Sequence, residues 1–199
     1  MKAASLEAGE IDRIESEVGE IMAAVPAKVW DGRSLPVPID SIAREVYGLK
    51  VRQVSHDQMR EVVGELAVDG IMSGLLLTGI GEIWVNEWEA SQPEWGPQRE
   101  RFTIGHELGH FAMHQTGRPA IYCRAADAVE PDADGPSAHP VPELEANTFS
   151  AAFLMPASLV RPELGPDGVD GDRLKLLMQR FDSSAKAMRR RVETLRLIA

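Results

Sequence analysis

Two histidines and a glutamate in the segment His106-Glu107-Leu108-Gly109-His110 form the pattern HExxH, which has clear chemical potential. On a helix, residues four apart lie on one face, so His106 and His110 can direct two imidazole nitrogens at the same metal ion. Glu107 lies beside them and can take a proton from a water molecule. The pattern is typical of zinc peptidases, in which one helix supplies two metal ligands and the general base.

A zinc ion held by such a pair needs a third protein ligand, and a catalytic site keeps its fourth position open. One class of zinc peptidase has a third histidine in the longer pattern HExxHxxGxxH, which requires glycine at position 113 and histidine at position 116. Met113 and Thr116 occupy those positions here, so the sequence excludes this class. The other common solution is a glutamate from a later helix.

A second helix is predicted between Pro142 and Pro156. Proline suits the first helical position, acidic residues favour the first turn, and the second proline stops the helix. Glu143 and Glu145 both have suitable chemistry, but they point about 200° apart at ~3.6 residues per turn, so only one can face the metal. Glu143 is favoured because Asn147, one turn further on, can orient a ligating histidine through its side-chain amide. Glu145 remains the alternative.

Both segments resemble the ImmA/IrrE family of metallopeptidases. Residues 101–114 have the sequence RFTIGHELGHFAMH, and residues 143–156 have the sequence ELEANTFSAAFLMP. The family has a HELGH helix that ends in a further histidine and a second helix with the pattern ExEAN-x-FAA-x-LLMP. Ser150 replaces the usual alanine of that pattern, and Phe153 replaces a usual leucine. The resemblance is strong over these two segments and moderate over residues 39–86.

The resemblance implies zinc as the cofactor, with His106, His110 and Glu143 as ligands and Glu107 as the general base. It also implies a substrate class, because family members cleave, or inactivate by binding, helix-turn-helix transcriptional repressors that are encoded nearby, often in mobile elements or stress regulons. We therefore expect a zinc endopeptidase that cleaves such a repressor. The alternative is a regulatory binding module, of the antirepressor or toxin–antitoxin type, that docks on a repressor without cutting it.

Composition limits the setting in which this chemistry operates. The chain has 199 residues, of which 44% are hydrophobic and 26% charged, so it can bury a substantial core. A single cysteine excludes an internal disulfide framework and fits a reducing cytosol. No secretory signal pattern is visible, and the longest apolar run, residues 71–80, is too short to span a bilayer. We expect a cytoplasmic protein without membrane contact.

The net charge of −10 is unevenly distributed along the chain. Residues 172–199 contain eight Lys or Arg and three Asp or Glu, a net charge of +5, which leaves −15 on the preceding 171 residues. A strongly acidic body repels DNA phosphates, so direct binding of nucleic acid is not expected. The basic tail is expected to fold back onto the acidic body or to be solvated.

The patterns around the two motifs predict an α+β, zincin-like fold. A helix is expected over residues 5–25 and a helical turn before Gly48, a natural helix end. Strands are expected over residues 51–54, 71–77 and 82–86, with the last two forming a hairpin. Together they predict a small, twisted three-stranded sheet, packed on the HExxH helix and on the second, ligand-bearing helix.

Three further segments carry predictions about substrate binding and mobility. The stretch Ile83-Trp84-Val85 is a candidate edge strand that binds an extended substrate, with an ordinary core strand as the equal alternative. Residues 87–97, which include two tryptophans, are predicted to be a loop. Residues 125–140 are acidic and rich in alanine, aspartate and proline, which predicts a disordered insertion.

The chain is expected to divide into a metallopeptidase domain, residues 1–160, and a C-terminal helical subdomain, residues 161–199. The subdomain contains two predicted helices, residues 172–181 and 184–198, joined by a tight turn. This arrangement and the cluster Arg189-Arg190-Arg191 suggest a helix-turn-helix. The net negative charge of the whole protein favours instead a helical hairpin that packs on the catalytic domain or on the partner.

Four other residues near the motifs could contribute chemistry. His114 lies one turn beyond His110, too far along the helix to join the same ion, and is predicted to be a hydrogen-bonding histidine. Cys123 is predicted to be an inert thiol. Tyr122 or His139 is a candidate donor to the oxyanion that forms during peptide hydrolysis.

Overall fold

The computed structural model describes residues 6–64, 71–114, 121–125, 141–164 and 169–197. Helices and strands are mixed along these ranges. In chain order they are α1 (Ala8–Ala24), α2 (Ile39–Glu45), β1 (Lys50–Val54), α3 (His56–Val63), β2 (Met72–Leu77), β3 (Glu82–Asn86), α4 (Glu87–Ala90), α5 (Gly96–Met113), β4 (Ile121–Ala125), α6 (Val141–Leu154), α7 (Ala157–Val160), a short 3-10 helix (Arg161–Glu163), α8 (Gly171–Phe181) and α9 (Ala185–Thr194).

The predicted α+β fold is confirmed, and the three predicted strands are β1, β2 and β3. Local capping produces two helices that the sequence patterns did not indicate. Ser55 accepts a hydrogen bond from the backbone N–H of Gln58 and starts α3. Asn86 accepts from the N–H groups of Trp88 and Glu89 and starts α4 within the segment predicted to be a loop.

A fourth strand joins the sheet, whose order is β1-β3-β2-β4. β1 pairs parallel with β3, while β2 lies antiparallel to both β3 and β4. The prediction that Ile83-Trp84-Val85 forms an edge strand is therefore wrong, because Ile83 pairs with Val51 on one side and with Leu76 on the other. The sequence indicates the β2–β3 hairpin through its turn, but no local pattern reveals the parallel pairing with β1.

Helix α5 lies between the sheet and α6, and α1 packs against α6. Ile104 and Leu108 of α5 are buried in one core cluster with Leu76 and Ile83 of the sheet and with Phe149 of α6. The two segments that carry the predicted ligands are therefore the centre of the fold.

The C-terminal helices pack on this body as a hairpin. Arg191 of α9 is 1% exposed, and its guanidinium group donates to the carboxylate of Glu15 in α1 and to the carbonyl of Met155. Four apolar side chains of the hairpin join the same core cluster: Leu177, Phe181, Met188 and Val192. The arginine cluster thus contributes one residue to the interior. The boundary at residue 160 stays a prediction.

None of the helices in the described ranges is long and apolar enough to cross a membrane. The predicted insertion over residues 125–140 lies outside the described residues, apart from Ala125 at the end of β4. His139 and the side chain of Cys123 also lie outside them.

Candidate metal centre

The HExxH segment lies in the C-terminal half of α5, where its two histidines face the same side. His106 is 0% exposed and His110 is 1% exposed, so both rings are in the interior. Their Nε2 atoms are 3.1 Å apart. This arrangement follows from the four-residue spacing, which stacks the two side chains one turn apart.

Glu143, in the first turn of α6, completes a group of three. Its Oε2 lies 3.3 Å from Nε2 of His106, and its Oε1 lies 3.2 Å from Nε2 of His110. Two ligands that bind a tetrahedral zinc ion at about 2.0–2.1 Å are about 3.3–3.4 Å apart. The group His106, His110 and Glu143 can therefore hold a metal ion.

The hydrogen bonds behind the group show that it fits a cation. Nδ1 of His106 lies 3.0 Å from Oδ1 of Asn147, and a carbonyl oxygen can only accept, so Nδ1 carries the proton. When His106 is neutral, as a metal ligand must be, its Nε2 presents a lone pair towards the carboxylate of Glu143. Lone pairs that converge in a buried site repel one another unless a cation lies between them.

Electrostatics keep Glu143 in its anionic form. Burial raises the pKa of Glu143, but hydrogen bonds from His106 and His110, and the positive charge that these imidazoles carry when protonated, outweigh it, so the pKa lies below its ordinary value. Among the two glutamates that the sequence offered, the structure thus places Glu143 with the histidines. Glu145 is turned away, and its Oε2 lies 2.9 Å from Nε2 of His114.

His110 is enclosed by His114 and Tyr122. Its Nδ1 lies 2.9 Å from Nδ1 of His114, in agreement with the predicted hydrogen-bonding role of that residue. The ring of Tyr122 stacks on His110, with centroids 4.7 Å apart and planes 18° apart. The Tyr122 hydroxyl donates to the carbonyl of His114 at 2.7 Å. Its candidate role as a donor to the oxyanion stays a prediction.

Glu107 is 0% exposed and lies against strand β2. A Cβ atom added to Gly74 of β2 would be 2.7 Å from Oε1 of Glu107. The glutamate can occupy this position because residue 74 has no side chain. The sequence motif indicated Glu107, but it did not indicate the strand residue that leaves space for it.

Arg13 was not expected near the site. It lies in α1 and donates to the carboxylate of Glu145, 132 residues further along the chain. Its spacing to Glu17 is that of an ordinary surface pair on one helix, and the two residues do form such a pair. No signal in the sequence connects Arg13 with α6.

Comparison with known proteins identifies the family. The family model described as the IrrE N-terminal-like domain, a peptidase family designated M78, matches residues 82–193. The match covers more than half of the chain and includes α5 and α6, so the chain belongs to this peptidase family. No curated protein matches the sequence.

One similar solved structure is a Mycobacterium tuberculosis transcriptional regulator, with a TM-score of 0.50 and 17% sequence identity. The alignment covers 96% of this chain and 48% of the regulator, so the chain spans about half the length of that protein. At this identity the likeness concerns the fold alone.

Proposed function

We propose that the protein is a zinc-dependent endopeptidase and that its substrate is a helix-turn-helix transcriptional repressor. The observation that carries the proposal is the convergence of ligand atoms from the buried His106 and His110 and the partly buried Glu143, with the carboxylate of Glu107 one residue along the same helix. Membership of a peptidase family supports the reaction class. The resemblance of the two motif segments to ImmA/IrrE proteins supports the substrate class.

The chain's own residues have distinct tasks in this reaction. His106 and His110 would hold the metal through Nε2, and Glu143 would add a negative charge that offsets part of the charge of the ion. Asn147 fixes the ring of His106 through Nδ1. When bound, zinc supplies Lewis-acid chemistry, which polarises the scissile carbonyl and lowers the pKa of a water molecule.

Glu107 is proposed to move the proton. Its carboxylate accepts a proton from the attacking water as the new C–O bond forms, and then donates that proton to the nitrogen of the leaving amine as the peptide C–N bond breaks. Burial of Glu107 against β2 keeps bulk water from competing for this proton. We further propose that the protein acts in the cytoplasm on a protein partner, without direct contact with nucleic acid.

The test compares the wild type with Glu107→Gln. Each protein, loaded with zinc, is incubated with the repressor encoded beside its gene, and the products are identified by intact mass. Cleavage by the wild type alone supports the proposal, because the substitution leaves the metal ligands in place and removes the proton acceptor. Equal cleavage by both would contradict the role of Glu107. A stable complex without cleavage would favour the regulatory binding module.

A further inference from the structure

We propose that Glu145 fixes the ring and the tautomer of the metal ligand His110 through His114, and that Arg13 of α1 holds Glu145 in place. This inference rests on the proposed zinc site and extends it, because it assigns a positioning role to three residues that are not themselves metal ligands. The contacts form an unbroken chain. Arg13 donates to Glu145, His114 lies between Glu145 and His110, and His110 faces Glu143.

The carboxylate of Glu145 determines which nitrogen of each histidine in this series of hydrogen bonds carries a proton. Oε2 of Glu145 is 2.9 Å from Nε2 of His114, and a carboxylate accepts, so Nε2 of His114 carries a proton. Nδ1 of His114 then has the lone pair and accepts from Nδ1 of His110 at 2.9 Å. Nε2 of His110 is left with its lone pair directed at the metal group.

The opposite arrangement of protons is excluded by electrostatics. A proton on Nδ1 of His114 would leave the lone pair of its Nε2 facing the carboxylate of Glu145 at 2.9 Å. It would also place a proton on Nε2 of His110, the atom that must bind the metal. Protons on both Nδ1 atoms would face each other across 2.9 Å. With both imidazoles neutral, one tautomer of each histidine therefore satisfies every contact.

The low solvent exposure of His114 and Glu145 strengthens the hydrogen bonds that connect these residues. The side chains of His114 and Glu145 are each 15% exposed, and a hydrogen bond to a carboxylate is stronger in such surroundings than in water. The Arg13 side chain is 51% exposed, so its contribution is expected to be smaller than that of Glu145. Stacking of Tyr122 on His110 further restricts rotation of the ring.

The two histidines proposed as ligands therefore differ in the group that accepts the hydrogen bond from Nδ1. His106 donates to the neutral amide oxygen of Asn147, whereas His110 is connected through His114 to an anion. Carboxylate support makes an imidazole a more basic metal ligand. Arg13 belongs to α1, which lies outside residues 82–193, the segment that matches the family model.

The experiment measures zinc affinity by competition with a chelator, together with ¹⁵N NMR of zinc-loaded protein labelled at histidine. We expect the NMR spectra of the wild type to show His114 protonated at Nε2, and His106 and His110 protonated at Nδ1. Glu145→Leu removes the acceptor and should weaken zinc affinity by about 10- to 100-fold. Glu145→Gln retains an uncharged acceptor and should have a smaller effect.

Glu17→Gln is the matched control, because it removes the other carboxylate that contacts Arg13 and should leave zinc affinity unchanged. Circular dichroism of the metal-free proteins checks folding, and the tautomers of the wild type test the proposal even if Glu145→Leu does not fold. Protonation of His114 at Nδ1, or unchanged zinc affinity in both Glu145 variants, would overturn this inference but leave the proposed function standing. Failure of the wild type to bind zinc would overturn the proposed function as well.

Discussion

A Cβ atom added to Gly105 of α5 would lie 2.6 Å from Oγ of Ser150 in α6. One turn further on, a Cβ at Gly109 would lie 3.2 Å from Cα of Ala146. The two helices thus meet almost backbone to backbone along a face of small residues. Because each glycine directly precedes a metal-site histidine, this close approach brings the histidines within reach of Glu143 in the first turn of α6.

Substitution of Gly105 by alanine should separate the two helices. Overpacking costs roughly 1–3 kcal/mol, and the better helix propensity of alanine offsets part of this cost. We expect Gly105→Ala to lower the free energy of unfolding by about 1 kcal/mol, measured by urea denaturation of the metal-free protein. Gly19→Ala in α1 is the control, because nothing lies within 4 Å of its added Cβ. It should stabilise the protein by about 0.5–1 kcal/mol, and equal effects of the two changes would contradict the packing argument.

Gly74→Ala should damage catalysis while sparing metal binding. The new methyl group would lie 2.4 Å from Cγ2 of Thr103 and 2.7 Å from Oε1 of Glu107, so the glutamate must move. A displacement of this kind can lower the rate of peptide cleavage by roughly 100-fold. Zinc content and kcat would be measured together. Loss of zinc in parallel with activity would show instead that the change disturbs the whole site.

The pair formed by Glu15 and Arg191 should matter more to stability than a surface pair. Glu15→Ala leaves the buried guanidinium group without its carboxylate, and we expect a loss of about 3 kcal/mol in the free energy of unfolding. Glu17→Ala removes an exposed partner of Arg13 and should cost less than about 1 kcal/mol. Comparable losses in urea denaturation would show that α9 does not depend on the buried pair.

Protonation of Asp31 should contribute to the loss of stability in acid. Hydrogen bonds from the side chain and backbone of Ser34, and from the backbone of Arg33, lower the pKa of Asp31 from 3.8 to about 2. A group with a lowered folded pKa stabilises the protein above its unfolded pKa, and this contribution is lost as the pH falls from about 4 towards 2. Asp31→Asn should flatten the dependence of unfolding free energy on pH in that window. If the unfolding free energy of Asp31→Asn falls as steeply as that of the wild type between about pH 4 and pH 2, these hydrogen bonds do not stabilise the protein in solution.

The local part of the site was predictable because helix periodicity and caps are encoded over a few residues. The spacing of His106 and His110 and the position of Asn147 one turn beyond Glu143 indicated which side chains meet, and the structure brings these four together. The preference for Glu143 over Glu145 came from the same periodicity.

The remaining features depend on contacts between distant segments. Arg13 reaches Glu145 across 132 residues, and Gly74 leaves space for Glu107 from a neighbouring strand. The internal position of β3 follows from its parallel pairing with β1, and no turn motif in the sequence indicates this pairing. Such relationships are set by tertiary packing, so neither composition nor periodicity indicates them.

The most direct test of the proposed centre is the zinc content of the wild type, Glu107→Gln and Glu143→Ala after dialysis, measured by mass spectrometry of the metal. We expect about one zinc ion per chain in the wild type and in Glu107→Gln, since both retain three ligands. We expect little or no zinc in Glu143→Ala, which loses a ligand but keeps both histidines. Full zinc occupancy in Glu143→Ala, or none in the wild type, would contradict the assignment of His106, His110 and Glu143 as the metal ligands.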